Sequence, residues 1–283
     1  MSGWADTFAK DLPDFEPGWV WLAGAGPGDA GLLTLHAVNG LKQADVIVYD
    51  ALVSDEVLAF APRGTVLEYA GKRGGKPSPK QADISQRLVK LAKSGKRVLR
   101  LKGGDPFIFG RGGEEALALV KAGVPFRVIP GISAGIGGLS YAGIPATHRT
   151  ANSAVTFLTG HAAGGAMTDN LNWSALAHGS PVLVIYMALK HLAEIAEKLM
   201  RHGRSPEEVV AIVASATLPE QRVLETTLGR CARDAEAHKI SPPSLVVIGE
   251  VVSMRRSLDW LGALEGRTLE LPPDAKGEEL ETG

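Results

Sequence analysis

The run Arg100-Leu-Lys-Gly-Gly-Asp-Pro-Phe-Ile-Phe-Gly-Arg111, continuing into Gly112-Gly-Glu-Glu115, closes a β-rich segment with two glycines, an acid and a proline before an amphipathic helical pattern begins. Glycines at the carboxyl end of a strand let the backbone approach a small molecule closely, and open α/β sheets bind their ligands there. The stretch therefore reads as a ligand loop in an α/β fold. Outward from it, strand-like runs fall at 19–23, 45–49, 65–69, 97–101 and 126–129, with helical patterns at 34–43, 81–93 and 114–121 between them. This alternation predicts a mostly parallel sheet with helices on both faces.

A second set follows, with strands at 154–159, 181–186, 209–214, 222–227 and 244–251 and helices at 191–200 and 230–237. Its adjacent strands predict a sheet of mixed direction. The expected organisation is an extension at 1–17, an α/β domain at 18–142, a linker at 143–152, a second α/β domain at 153–263 and a flexible acidic tail at 264–283.

The 283 residues are 45% hydrophobic and 22% charged, enough for two well-buried cores. A single cysteine, Cys231, excludes an intramolecular disulfide and a multi-cysteine metal site, and fits a reducing cytoplasm. No basic-then-apolar leader opens the chain and no apolar run reaches about 20 residues, so no membrane association is expected. The net charge of −1 gives no global pull toward nucleic acid. Locally, residues 72–111 hold twelve basic side chains against two acidic ones, a balance of +10. Arg87, Lys90, Lys93 and Lys96 read as a solvated helix face. Lys72, Arg73, Lys102 and Arg111 flank glycine-rich turns and suit a polyanionic small molecule.

Three motifs compete with this reading. Gly24-Ala-Gly-Pro-Gly-Asp29 departs from the dinucleotide fingerprint, because Asp29 stands where the third glycine belongs and a carboxylate repels phosphate. Gly71-Lys-Arg-Gly-Gly-Lys-Pro77 is one residue short of a P-loop and has proline at the magnesium position, which leaves a loop able to fold over a ligand. Gly131-Ile-Ser-Ala-Gly135 matches a nucleophile elbow with Asp169 and His191 downstream, so a serine hydrolase acting through Ser133 is the rival from another class. The seven histidines form no i, i+4 pair, and no metal is expected.

Several motifs in fixed order, from about residue 20 to about residue 260, are similar to those of the uroporphyrinogen-III C-methyltransferases in the tetrapyrrole methylase family. They are Gly24-Ala-Gly-Pro-Gly-Asp-Ala-Gly-Leu-Leu-Thr34, Ala44-Asp-Val-Ile-Val-Tyr-Asp50, Gly71-Lys-Arg73, Arg100 to Glu115, Pro130-Gly-Ile-Ser-Ala134, Gly143-Ile-Pro-Ala-Thr-His-Arg149 and Phe157-Leu-Thr-Gly-His161. The resemblance implies two α/β domains with the active site in the cleft between them, and a homodimer. It implies S-adenosyl-L-methionine as co-substrate and two methylations of pyrrole β-carbons that turn uroporphyrinogen III into precorrin-2, for cobalamin, sirohaem or haem d1 synthesis. The match ends near residue 260, so no dehydrogenase and ferrochelatase module is expected.

Position by position, the resemblance assigns acid/base work to Asp50 and Lys72. It assigns the cofactor to Pro27, Gly103, Gly104, Asp105, Ile108, Ser133, Ala134, Met187 and Ala216. Arg111, Glu114 and Arg149 go to the substrate, whose acetate and propionate arms call for cations. Asp50 reads equally as a helix N-terminal cap, and Glu114 as a charge favoured by a helix N-terminus. A methylase of a later corrin precursor is the rival within the family, and a binding protein without turnover is the bland one.

Overall fold

The structure is a computed structural model that describes residues 12–71, 81–161, 166–167 and 171–271. The chain divides into two compact units, Met1–Ser133 and Ala134–Gly283.

The first unit holds β1 (Val20–Gly24), α1 (Leu35–Gln43), β2 (Val46–Tyr49), α2 (Asp55–Leu58), β3 (Val66–Tyr69), α3 (Gln81–Lys93), β4 (Val98–Lys102), α4 (Gly112–Lys121) and β5 (Phe126–Ile129). The strands pair in the order β3-β2-β4-β1-β5, every pair parallel, as the alternation predicts. Both faces are covered. Trp21, Ala23, Ile47, Leu99 and Leu101 pack toward α1 and α2, while Val20, Leu22, Val46, Val48 and Val98 pack toward α3 and α4. β1 and β4 are buried along their whole length, β1 as a continuous apolar run and β4 with Arg100 and Lys102 buried among its apolar residues. Thr34 and Ser54 cap α1 and α2 by accepting from the N–H groups of Ala37 and Val57.

The expected extension is part of this core in its last residues. Phe15 stacks on Trp21 with ring centroids 4.2 Å apart, and its N–H donates to Gln43 Oε1 at 3.0 Å. The ring stack on buried Trp21 ties the segment to β1, and the bond to Gln43 ties it to α1.

The second unit holds α5 (Ala134–Tyr141), β6 (Thr156–Thr159), α6 (Trp173–Gly179), β7 (Leu183–Tyr186), α7 (Leu192–Arg201), β8 (Val209–Ala214), β9 (Arg222–Thr227), α8 (Cys231–Ala237) and β10 (Ser244–Ile248), then α9 (Arg255–Leu258) and α10 (Trp260–Leu264). Its order is β6-β7-β10-β8-β9. Only β6 and β7 pair in parallel; the other three pairs are antiparallel, the mixed direction expected. No helix among the described residues is long and apolar enough to cross a membrane.

Two boundaries differ from the sequence reading. The division falls at Ser133–Ala134, not after residue 142, because α5 joins the second core: Leu139 and Ala142 pack with Val184, Val213 and Val247. Glycines permit that approach, since a Cβ on Gly138 would stand 2.7 Å from the Ala216 Cβ. The expected loose tail is tied down in its described part. Arg267 pairs with Asp259, and Ser257 Oγ donates to the Glu270 carbonyl.

Candidate functional site

Three strand ends converge in the first unit. A Cβ on Gly131, after β5, would stand 2.3 Å from the Gly104 carbonyl oxygen and 2.7 Å from the Gly24 Cα. A Cβ on Gly24 would stand 2.4 Å from the same oxygen. No side chain larger than hydrogen fits at either position, so the loops after β1, β4 and β5 touch backbone to backbone. Gly26 and Gly104, both with left-handed φ, lock two of them together: Gly104 N–H donates to the Gly26 carbonyl at 2.6 Å and Gly26 N–H returns the bond at 3.2 Å. Pro27 follows directly on this bridge. Asp29 caps a short 3-10 turn by accepting from Gly31 N–H at 2.7 Å, which makes the first glycine cluster the tight turn that its departure from the dinucleotide pattern suggests.

Asp105 links the loops. One carboxylate oxygen accepts from Phe107 N–H at 2.8 Å and the other from Gly131 N–H at 3.0 Å. A carboxylate offers about four lone-pair sites, so two acceptor positions remain for a ligand. Asp50, past the end of β2, accepts from Leu52 N–H at 3.0 Å and from Gly103 N–H at 3.3 Å. It is a clamp on the ligand loop and not a helix cap, a role that Ser54 fills. Leu52, Phe107, Ile108 and Phe109 are exposed beside these turns, an unusual run of large apolar side chains in water.

Lys102 contradicts the expectation of a cation facing a ligand. It turns inward to Glu115 with Nζ at 3.4 Å, and Arg100 Nε meets the same carboxylate at 3.0 Å. Gln81 Nε2 adds a bond of 2.9 Å to Glu115 Oε1. All three charged groups are buried. Burial pushes the Lys102 ammonium down, Arg100 reinforces the shift, and Glu115 and Asp50 oppose it. Sequence reading misses this cluster. Its one signal is spacing, because Glu115 shares the face of α4 on which Ala116 and Leu119 are buried.

Arg111 and Glu114 pair with each other at the first turn of α4, both half exposed. The hydrogen bond from Arg111 holds the Glu114 carboxyl below its ordinary value. Both also border an open groove of about 1160 Å³ between α3 and α4, along the helix faces and away from the glycine crossing.

In the second unit, Met187 follows β7 and Ala216 follows β8, the latter buried between Ser215 and Thr217. Five of the six non-glycine residues with positive φ among those described lie in loops after strands: Phe109, Arg111, Met187, Ser215 and Thr217. Such backbones cost about 1–3 kcal/mol each and gather at ligand sites. Arg149 is exposed in the 143–152 connection, which Asn152 braces by donating to the carbonyls of Ala146 and Ala154.

Ser133 is buried and lacks the left-handed backbone of a strained elbow, so the G-x-S-x-G pattern does not build a nucleophile here. Ala134 begins α5. Lys72, Arg73 and Asp169 lie outside the described residues.

Residues 20–232 match the family model of the tetrapyrrole (corrin/porphyrin) methylases. A uroporphyrinogen-III C-methyltransferase of Sinorhizobium sp is 63% identical over 270 residues, 95% of this chain and 96% of its own length. A siroheme synthase of Sodalis glossinidius is 51% identical over 245 residues; the match takes in 87% of this chain and about half, 51%, of that protein. The crystal structure of uroporphyrin-III C-methyl transferase from Thermus thermophilus complexed with S-adenyl homocysteine superposes with a TM-score of 0.72 at 40% identity, covering 83% of this chain and 98% of that one.

Proposed function

The chain belongs to the tetrapyrrole (corrin/porphyrin) methylases, and we propose that it is an S-adenosyl-L-methionine-dependent C-methyltransferase that converts uroporphyrinogen III to precorrin-2 by two methylations of pyrrole β-carbons. The observation that carries the reading is the end-to-end likeness to a uroporphyrinogen-III C-methyltransferase.

The residues present fit the donor. Asp105 keeps acceptor capacity for an ammonium group after its two backbone bonds. Pro27, Gly103, Gly104, Ile108, Ser133 and Ala134 are small or apolar, as a nucleoside site requires. Met187 and Ala216, on strained turns, are assigned to the same ligand. When bound, S-adenosylmethionine supplies an electrophilic methyl group on a sulfonium. The protein's part is orientation and exclusion of water, with no nucleophilic side chain needed. Arg111, Glu114 and Arg149 are assigned to the acidic macrocycle, with Arg111 oriented for a carboxylate arm. Methylation at carbon leaves the pyrrole ring cationic until it sheds a proton, and Asp50 is assigned to take it. Lys72 is assigned to the same proton traffic. We place the enzyme in the cytoplasm as a homodimer.

The test is incubation with uroporphyrinogen III and methyl-labelled donor under reducing conditions. Two labels per macrocycle are expected, with the absorbance of precorrin-2. Failure of any label to reach the tetrapyrrole in folded protein sinks the reading.

A further inference from the structure

β7 and β8 are each antiparallel to β10, which lies between them, so their carboxyl ends open on the same edge of the second sheet. At that edge Met187, Ser215 and Thr217 have φ of 54°, 48° and 66°. Thr217 is the most demanding of these, because a β-branched residue at positive φ is a genuine outlier that persists only where its surroundings over-determine it. The side chain of Gln221 supplies part of that constraint. Its Oε1 accepts from Thr217 N–H at 2.7 Å, and its Nε2 donates to the Tyr141 carbonyl at 3.1 Å, at the end of α5. The main chain adds three bonds: Ser215 N–H to the Pro243 carbonyl at 2.9 Å, Leu218 N–H to the Ser215 carbonyl at 3.1 Å across the turn itself, and Gln221 N–H to the Leu218 carbonyl at 2.9 Å. Ala216 sits between the two strained residues, pressed against the bare Cα of Gly138 on α5.

We infer that Gln221 is a positioning residue for the methyl donor: by joining the Thr217 N–H to α5 it keeps Thr217 left-handed and so holds the Ala216 main chain before it in place, presented to the nucleoside without Gln221 touching it. The inference rests on the assignment of Ala216 to the donor. A helix-to-turn strut of this kind sets affinity through pre-organisation, since a turn left free to relax must be ordered again on each binding event.

The experiment uses the full chain, with S-adenosylhomocysteine binding followed by calorimetry and steady-state methylation in parallel. Gln221→Leu is expected to weaken binding about tenfold, the scale of one or two lost hydrogen bonds. It should raise KM for the donor by a similar factor, with kcat at saturating donor and KM for the tetrapyrrole unchanged. Adding Thr217→Gly restores most of the affinity, because glycine adopts φ near +66° without strain and needs no strut. Wild-type affinity in Gln221→Leu, or no recovery in the double variant, overturns the inference. Should circular dichroism show Gln221→Leu unfolded, Gln221→Glu tests the same strut. It keeps an oxygen for Thr217 N–H and lacks the amide for Tyr141, so an intermediate loss supports the strut and none overturns it. Ala216→Val separates the underlying assignment. A loss there with none in Gln221→Leu overturns only the strut, and no loss in Ala216→Val removes Ala216 from the donor site and the inference with it.

Discussion

Arg111 holds Glu114 in a two-pronged grip, Nε to Oε1 at 2.8 Å and Nη2 to Oε2 at 2.7 Å, from a left-handed backbone at the mouth of α4. An exposed pair three residues apart contributes about 0–1 kcal/mol to stability, too little to explain a residue kept at φ 59°. What the grip does fix is the plane of the guanidinium, and a fixed fork is what recognition of a carboxylate needs.

For Arg111→Ala we expect KM for uroporphyrinogen III to rise about tenfold, the value of one charge-assisted contact. Calorimetric affinity for S-adenosylhomocysteine should stay within twofold of wild type. Equal losses for both ligands move Arg111 out of the substrate site.

Gly131→Ala strikes the point where three strand ends cross. The new methyl group meets a carbonyl oxygen and a Cα, which unlike the tip of a side chain have nowhere to go. Overpacking of this kind costs about 1–3 kcal/mol, which for a chain of this size lowers the melting midpoint by about 2–10 °C. The stabilisation that S-adenosylhomocysteine confers on the wild type should vanish with it. Gly113→Ala is the control: nothing lies within 4 Å of its Cβ position and alanine favours the helix, so the melting midpoint should not fall and the ligand's stabilisation should persist.

The first sheet is legible in the sequence because its strands are short runs rich in valine, leucine, isoleucine and aromatic residues bounded by glycine, proline or aspartate, so each predicted strand lies within one residue of the one observed. The ligand loop is legible for the same reason, since glycine pairs advertise close backbone approach. Periodicity puts α5 in the wrong domain because its sequence, Ala-Gly-Ile-Gly-Gly-Leu-Ser-Tyr, has poor helix propensity and shows no amphipathic stripe; packing on the second core decides its place. Lys102 reads outward because sequence shows a cation beside glycines and cannot show that Glu115, thirteen residues on, comes back to meet it. The turns at Ser215 and Thr217 have no sequence signature at all, since their side chains disfavour the backbone they adopt.

Acid should uncouple the end of the chain. Burial pushes the Asp259 carboxyl up, but the hydrogen bond and charge of Arg255, the Gly262 N–H and the Arg267 charge outweigh it, leaving the group below its ordinary 3.8. The folded state thus binds this proton more weakly than the unfolded chain, so the stabilisation is complete above about pH 4 and disappears as pH falls through the folded-state value. Asp259→Asn should cost about 3 kcal/mol at neutral pH, the low end for a broken buried pair because Arg267 is half exposed. Urea unfolding at pH 7 and pH 3 checks this: the gap between variant and wild type must narrow in acid, and a constant gap refutes the assignment.

Asp50 is asked to do two things, and two substitutions separate them. Its carboxylate clamps the Gly103 and Leu52 N–H groups, and it is also assigned to accept the proton shed by the methylated ring. Asp50→Asn keeps an oxygen for the clamp and loses the base, so kcat should fall about 100-fold, within the range for removing a general base, while affinity for S-adenosylhomocysteine holds. Asp50→Ala removes both, so the ligand loop slackens and affinity falls together with kcat. If the asparagine variant methylates uroporphyrinogen III at the wild-type rate, the proton goes elsewhere and Asp50 is a clamp alone. If both variants lose affinity equally, the clamp depends on charge and not on geometry.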